Sequence, residues 1–118
     1  MKSLRKTFLA LILLSYALGF TGAALNQLVI IENGGKFPVL ENSAWVARDV
    51  EKGTLTEDGM TDNVHCLMTK DTHLNLLADL FNFGDGIYSI GDLMMMAGDS
   101  LQSNALMIGF VIVLFKKE

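Results

Sequence analysis

His65, Cys66 and His73, with Asp71 and Asp79 close by in the chain, are residue types suited to metal chemistry: a thiolate and two imidazoles make a donor set for a soft cation. Their spacing fits no zinc template, and a single cysteine allows no internal disulfide. The residues therefore read as a buried or interfacial thiol beside two ordinary histidines. No metal and no cofactor are expected, and an exported metal-responsive protein is the alternative. Two histidines in a short chain also give a Ser, His and acid triad no support, so the expectation is a protein that is not an enzyme.

Asp92 and Asp99 pose a sharper question, because both stand in apolar surroundings, where an acid costs free energy and marks a candidate proton or cation site. Asp92 has a structural use. Ser89-Ile90-Gly91-Asp92 has the pattern of a capping box, with Ser as N-cap and the carboxylate three residues on reaching back to the free amide at the positive end of the helix. Asp99 lies seven residues further, on nearly the same helical face, with Gln102 and Ser103 close by, so a polar stripe descends this segment. The alternative is that Gly98-Asp99-Ser100 breaks the helix at the surface.

The elements that must position these residues are membrane-directed. Thr7 to Ile31 is a run of 25 residues without a charge, preceded by Lys2, Arg5 and Lys6. As a helix it is about 37 Å long, enough to cross a hydrocarbon core of roughly 30 Å. Leu93 to Phe115 is a second apolar stretch of 23 residues with Asp99 as its one charge, and a spanning helix there must include the Asp99 region. The expected fold class is all-α: a two-helix transmembrane hairpin with a first helix over 7–31, a connecting segment over 32–88 holding short amphipathic helices, and a second helix over 89–115. A hydrophobic content of 51 % and a positive mean hydropathy favour the same class. The competing reading is a cleaved signal peptide over 1–24, with an apolar core from Phe8 to Phe20 and small residues Gly22, Ala23 and Ala24 at the cut; Leu25 and Leu28 to Ile31 continue past that site, which a soluble start would not need.

The net charge of −4 is unevenly spread. Both ends are basic, whereas residues 32–115 hold twelve acids against four bases. Short flanks rich in Lys and Arg resist translocation, which predicts cytoplasmic termini and an acidic middle facing outward. There is no basic patch of the kind nucleic acid requires. The bilayer, and a partner membrane protein or a second copy, are the expected partners.

Within the first helix, Ser15, Gly19, Gly22 and Asn26 recur at spacings of four, three and four, which puts a small and polar stripe on one face, suited to contact with another helix. Depth places Asn26 level with Asp99 in an antiparallel pair and predicts a hydrogen bond from its amide to that carboxyl. Asn33, Gly34, Gly35 and Pro38 predict the helix stop, glycine capping the last carbonyls and proline preventing continuation. In the connecting segment, Asn42 or Ser43 begins a helix through Lys52 closed by Gly53, with Trp45, Val46 and Val50 apolar. Residues 54–63 read as an exposed loop. Asp71 or Thr72 caps an amphipathic helix from His73 to Phe81, marked by Leu74, Leu77, Leu80 and Phe81.

The run Asn26 to Val39 with its Asn-Gly-Gly-x-x-Pro-Val turn, Thr72-His-Leu-Asn-Leu-Leu-Ala-Asp79, and Ser89-Ile-Gly-Asp92 with Gly98 resemble small bacterial integral-membrane proteins grouped only as a domain of unknown function. The resemblance covers most of residues 26–98 and implies an all-helical, multi-pass protein of the bacterial cell membrane with no established activity. Members of that group usually carry more helices before the Asn-Gly-Gly turn and prolines before Ser-Ile-Gly-Asp. This chain has one upstream helix and no proline from Asn82 to Tyr88, and so reads as a reduced member that needs a partner.

Overall fold

The computed structural model describes residues 1–56, 59–60, 64–83 and 86–116. The uncharged run forms the core of helix α1, Lys2–Glu32, which starts five residues before the run because Lys, Leu and Arg are good helix formers. It ends as its sequence requires. Gly34 (φ 63°) and Gly35 (φ 91°) turn left-handed, and their amides reach back to Ile31 O (3.2 Å) and Ile30 O (2.8 Å), the paired bonds of a Schellman motif.

The second long helix, Ile90–Leu114, is numbered α3 here because a short helix precedes it. It opens on the capping box: Asp92 N donates to Ser89 Oγ and Ser89 N donates to Asp92 Oδ2, both at 3.0 Å. The two long helices run in opposite directions against each other, with Gly22 facing Gly91, the Ser15 carbonyl facing Gly98 and Phe8 against Gly109. Their buried residues are Ser15, Gly22 and Val29 on one and Gly91, Gly98 and Ala105 on the other, seven apart in each case. A strict seven-residue repeat keeps one narrow seam in contact along the pair. Outside it the helices are bare. Only 11 % of each apolar window is buried, and both helices are long and apolar enough to cross a membrane.

Between them the structure departs from the all-α expectation. Among the described residues the connecting segment holds six short strands: β1 Phe37–Val39, β2 Leu55–Thr56, β3 Gly59–Met60, β4 His65–Leu67, β5 Phe81–Asn82 and β6 Ile87–Tyr88. β1 pairs with β4 in parallel, Phe37 opposite His65, while β2–β3 and β5–β6 are antiparallel pairs. Pieces of two or three residues between turns are too short to nucleate helix, and extended chain buries all three residues of β1. Pro38 thus has a different place from the one expected: it is fully buried in β1, with its carbonyl accepting from Asp79 N at 3.1 Å.

Helix α2, Ala44–Glu51, follows the expected caps, with Ser43 Oγ accepting from Val46 N (3.3 Å) and Gly53 at φ 75°. The side chain of Trp45 lies outside the described residues, as do residues 57–58 and 61–63 of the expected loop. Leu55, however, is buried with Val39 and Val46, so that stretch is no fully exposed loop. The helix expected over His73–Phe81 is also absent. Only a 3-10 turn, Asn75–Leu77, forms, after Leu74 in left-handed conformation (φ 55°). Polar side chains compete with the helix here: Asn75 Nδ2 donates to Thr69 O (2.8 Å), and the Thr72 hydroxyl lies 2.6 Å from Asn75 Oδ1. Val29, Phe37 and Ala78 form one apolar cluster, seating this strand-rich cap on the C-terminal end of α1.

Candidate functional site

The cap, the end of α1 and the start of α3 converge on five polar side chains. Asn26 Nδ2 donates to Asp92 Oδ1 (2.8 Å), and Asn26 Oδ1 accepts from the fully buried Ser89 Oγ (2.7 Å). Asp92 therefore accepts from α1 through one oxygen and from its own N-cap amide through the other, so the capping box of one helix doubles as the socket for the other. Glycine makes the approach possible. A Cβ at Gly91 would fall on Asn26 Oδ1 and, at 2.5 Å, on Gly22 O.

This corrects the expected partner of Asn26. Because α3 starts at Ile90, a turn ahead of Leu93, Ser89 and Asp92 reach the level of Asn26 and Asp99 does not. Asp99 instead lines a notch of about 310 Å³ with Ser15, Gly19 and Gln102 on the flank of the pair. Of the small stripe on α1, Ser15 and Gly22 lie on the seam and Asn26 in the polar socket, whereas a Cβ added at Gly19 would meet nothing within 4 Å. Ser15 Oγ is satisfied within its own helix by Ile12 O at 2.8 Å.

Beside the socket, His65 Nε2 stands 3.6 Å from Asp79 Oδ2, and Asp79 is 6 % exposed. Its Oδ1 is buried with no hydrogen-bond partner among the described residues. Burial raises the Asp79 carboxyl to about 7; the nearby His65 opposes the rise and the Asp92 carboxylate adds to it. A carboxyl so placed takes up and releases a proton in the neutral range. A cleft of about 160 Å³ touches Asn26, His65, Asp79 and Asp92, and a wider one of about 360 Å³ runs from His65 and Asp79 past Asp92 to Asp99.

The three metal-type residues, His65, Cys66 and His73, are not brought together. His65 and Cys66 are consecutive in β4 and so point to opposite faces, and His73 is held elsewhere, its backbone exchanging two bonds of 2.8 Å with the Asn33 side chain. Cys66 is 2 % exposed, and burial pushes its thiol up against a smaller lowering by Lys36, which keeps it protonated and unreactive. Among the described residues no three His, Cys, Asp or Glu side chains come together as a metal site. Asn33 does more than stop a helix: its amide also donates to Val29 O at 2.9 Å, tying the helix end to the loop at His73.

Sequence reasoning missed the pairing of His65 with Asp79 and the place of Ser89 in the socket. The first had no local signal, since fourteen residues separate the two in the chain and the bridge from Asp79 to Val39 brings them together. The second was present as Gly91, Gly98 and Ala105, small residues seven apart, the first two one position before Asp92 and Asp99.

These features define a class: a pair of long apolar helices, clipped at one end by buried polar side chains under a small strand-rich cap. The chain belongs to a family of unknown function (DUF5317), whose family model matches residues 6–101. That range contains the socket, Asp79 and Asp99. No curated protein and no solved structure matches the chain.

Proposed function

We propose that this is a two-pass integral protein of the bacterial cell membrane, with no catalytic activity, that serves as an accessory or interaction subunit of a membrane complex. The observation that carries the reading is the contrast on the helix pair: lipid-compatible side chains such as Leu13, Leu106, Met107 and Phe110 are exposed, while one notch presents Asp99 and Gln102. A carboxylate at that depth costs free energy unless a donor covers it, and a neighbouring helix, from a partner protein or a second copy, supplies one. Lys2, Arg5, Lys6 and Lys116 gather at one end of the antiparallel pair, which supports cytoplasmic termini and an external cap.

A photo-crosslinker at Gln102 in native membranes should capture one specific protein or a second copy; capture of lipid alone overturns the interaction role. The intact mass from carbonate-washed membranes should include residues 1–24, and a mass lacking them overturns the two-pass topology. A second reading, a proton or ion pathway, is favoured by the cleft that joins Asp79, Asp92 and Asp99. It requires flux in proteoliposomes that Asp99→Asn abolishes at unchanged membrane levels. Absence of flux in the unmodified protein sinks it.

A further inference from the structure

The end of the helix pair away from the cap carries a feature that the interaction role leaves unused. Between the first turns of α1 and the last turns of α3 runs a groove of about 640 Å³, walled by Phe8, Leu9, Leu106, Phe110 and Val113, with Arg5 also in its lining. Its floor is low because Gly109 lies under the Phe8 ring, where an added Cβ would come within 3.0 Å of Cε2. The volume is in the ~300–1,000 Å³ range of small-molecule sites, and Arg5 is the one charged residue in an otherwise apolar lining.

Among the described residues charge at this end has one sign. α1 carries no acid before Glu32 and α3 none after Asp99, while Lys2, Arg5, Lys6 and Lys116 are all here. α1 also begins without a side-chain cap and with bases in its first turns, at the positive end of its own dipole, an arrangement that costs free energy until an anion stands beside it. An apolar trough whose one charged lining residue is an arginine fits a molecule with a hydrocarbon tail and an anionic head.

We propose that this groove binds one anionic phospholipid of the surrounding bilayer, an acyl chain lying along Leu9, Leu106 and Phe110 and the phosphate on Arg5. The site rests on the membrane-spanning reading. Arg5 suits the task because its planar fork offers parallel donors to phosphate oxygens, and it lies just before the uncharged run that begins at Thr7, where a membrane helix meets the headgroups.

The test uses the full chain, extracted from membranes and exposed to equal amounts of phosphatidylglycerol and phosphatidylcholine, with bound lipid read by native mass spectrometry. Phosphatidylglycerol adducts should exceed phosphatidylcholine adducts about fivefold, the weight of one basic residue at an anionic surface. Arg5→Gln should bring the ratio to about one, and Lys6→Gln, outside the groove, should leave it as in the unmodified protein. Leu106→Trp, which fills the trough, should remove the retained adduct of either lipid. Equal adducts in the unmodified protein, or a preference that survives Arg5→Gln, overturn the site. Carbonate extraction separates the two levels: a protein washed from the membrane removes the membrane reading and the site together, whereas one that stays but shows no preference removes the site alone.

Discussion

At the capped end of the helix pair, Asn26, Ser89 and Asp92 close a set of hydrogen bonds between α1 and α3, and two glycine backbones touch. At the opposite end the same two helices meet through the Phe8 ring over Gly109, with a groove between them and no hydrogen bond across the gap among the described residues. Both ends use glycine, for different reasons. At Gly91 the neighbours are backbone and an amide that yields only by breaking its bonds to Ser89 and Asp92, whereas at Gly109 the neighbour is the edge of a side chain with no such bonds. Register is therefore set at the capped end, and the other end is left free to accommodate what surrounds it. The family match stops at residue 101, so it contains the capped end of α3 and leaves out Leu106 to Val113 of the groove.

The largest effect expected follows from that contrast. Gly91→Ala should cost about 3 kcal/mol of thermal stability in detergent, because the new methyl displaces Asn26. Gly109→Ala should cost under ~0.5 kcal/mol, since the Phe8 ring can swing aside and alanine gains ~1 kcal/mol in helix propensity. Equal losses at the two ends would break the comparison.

Next comes pH. The Asp79 carboxyl rises from 3.8 to about 7 in the folded protein, so between those values the folded state holds a proton that the unfolded state has released. Its contribution to stability is full below pH ~4, falls as pH rises toward 7 and is flat above, a loss on the order of 2 kcal/mol between pH 5 and pH 8. Asp79→Asn should flatten unfolding curves measured across that window. A wild-type protein already insensitive to pH there would show that the burial of Asp79 carries no penalty.

A smaller effect resolves the socket itself. Asn26→Ala, Asp92→Ala and the double change should be non-additive by about 1 kcal/mol, whereas Asn26→Ala with Asp99→Ala should add. Coupling to Asp99 in place of Asp92 would reverse the register described above. Smallest of all, Asn33→Ala releases the loop at His73 from α1 and should lower stability by about 0.5 to 1 kcal/mol, with faster amide exchange at His73 as the specific sign.

Local rules made part of this legible. The two long helices follow from uninterrupted apolar runs, the α3 start from Ser89 to Asp92, the α1 stop from Asn33-Gly34-Gly35, and α2 from Ser43 and Gly53. What escaped depends on partners distant in the chain. β1 is extended because His65 to Leu67 and Asp79 flank it, and neither is visible from Phe37-Pro38-Val39 alone. On α3 the eye goes to Asp92 and Asp99, but the contact runs through Gly91 and Gly98, one residue or about 100° away, and so the acids stand on the flank of the seam.

The socket also has a consequence in time. α1 is finished at Glu32, and the first residue that completes its bonds, Ser89, is made 57 residues later. At ~5–20 residues per second, Asn26 waits about 3 to 11 s with its amide unmet. Whatever receives the nascent helix must shelter one polar side chain for that interval, and the capping box that ends the wait begins α3 in the same event.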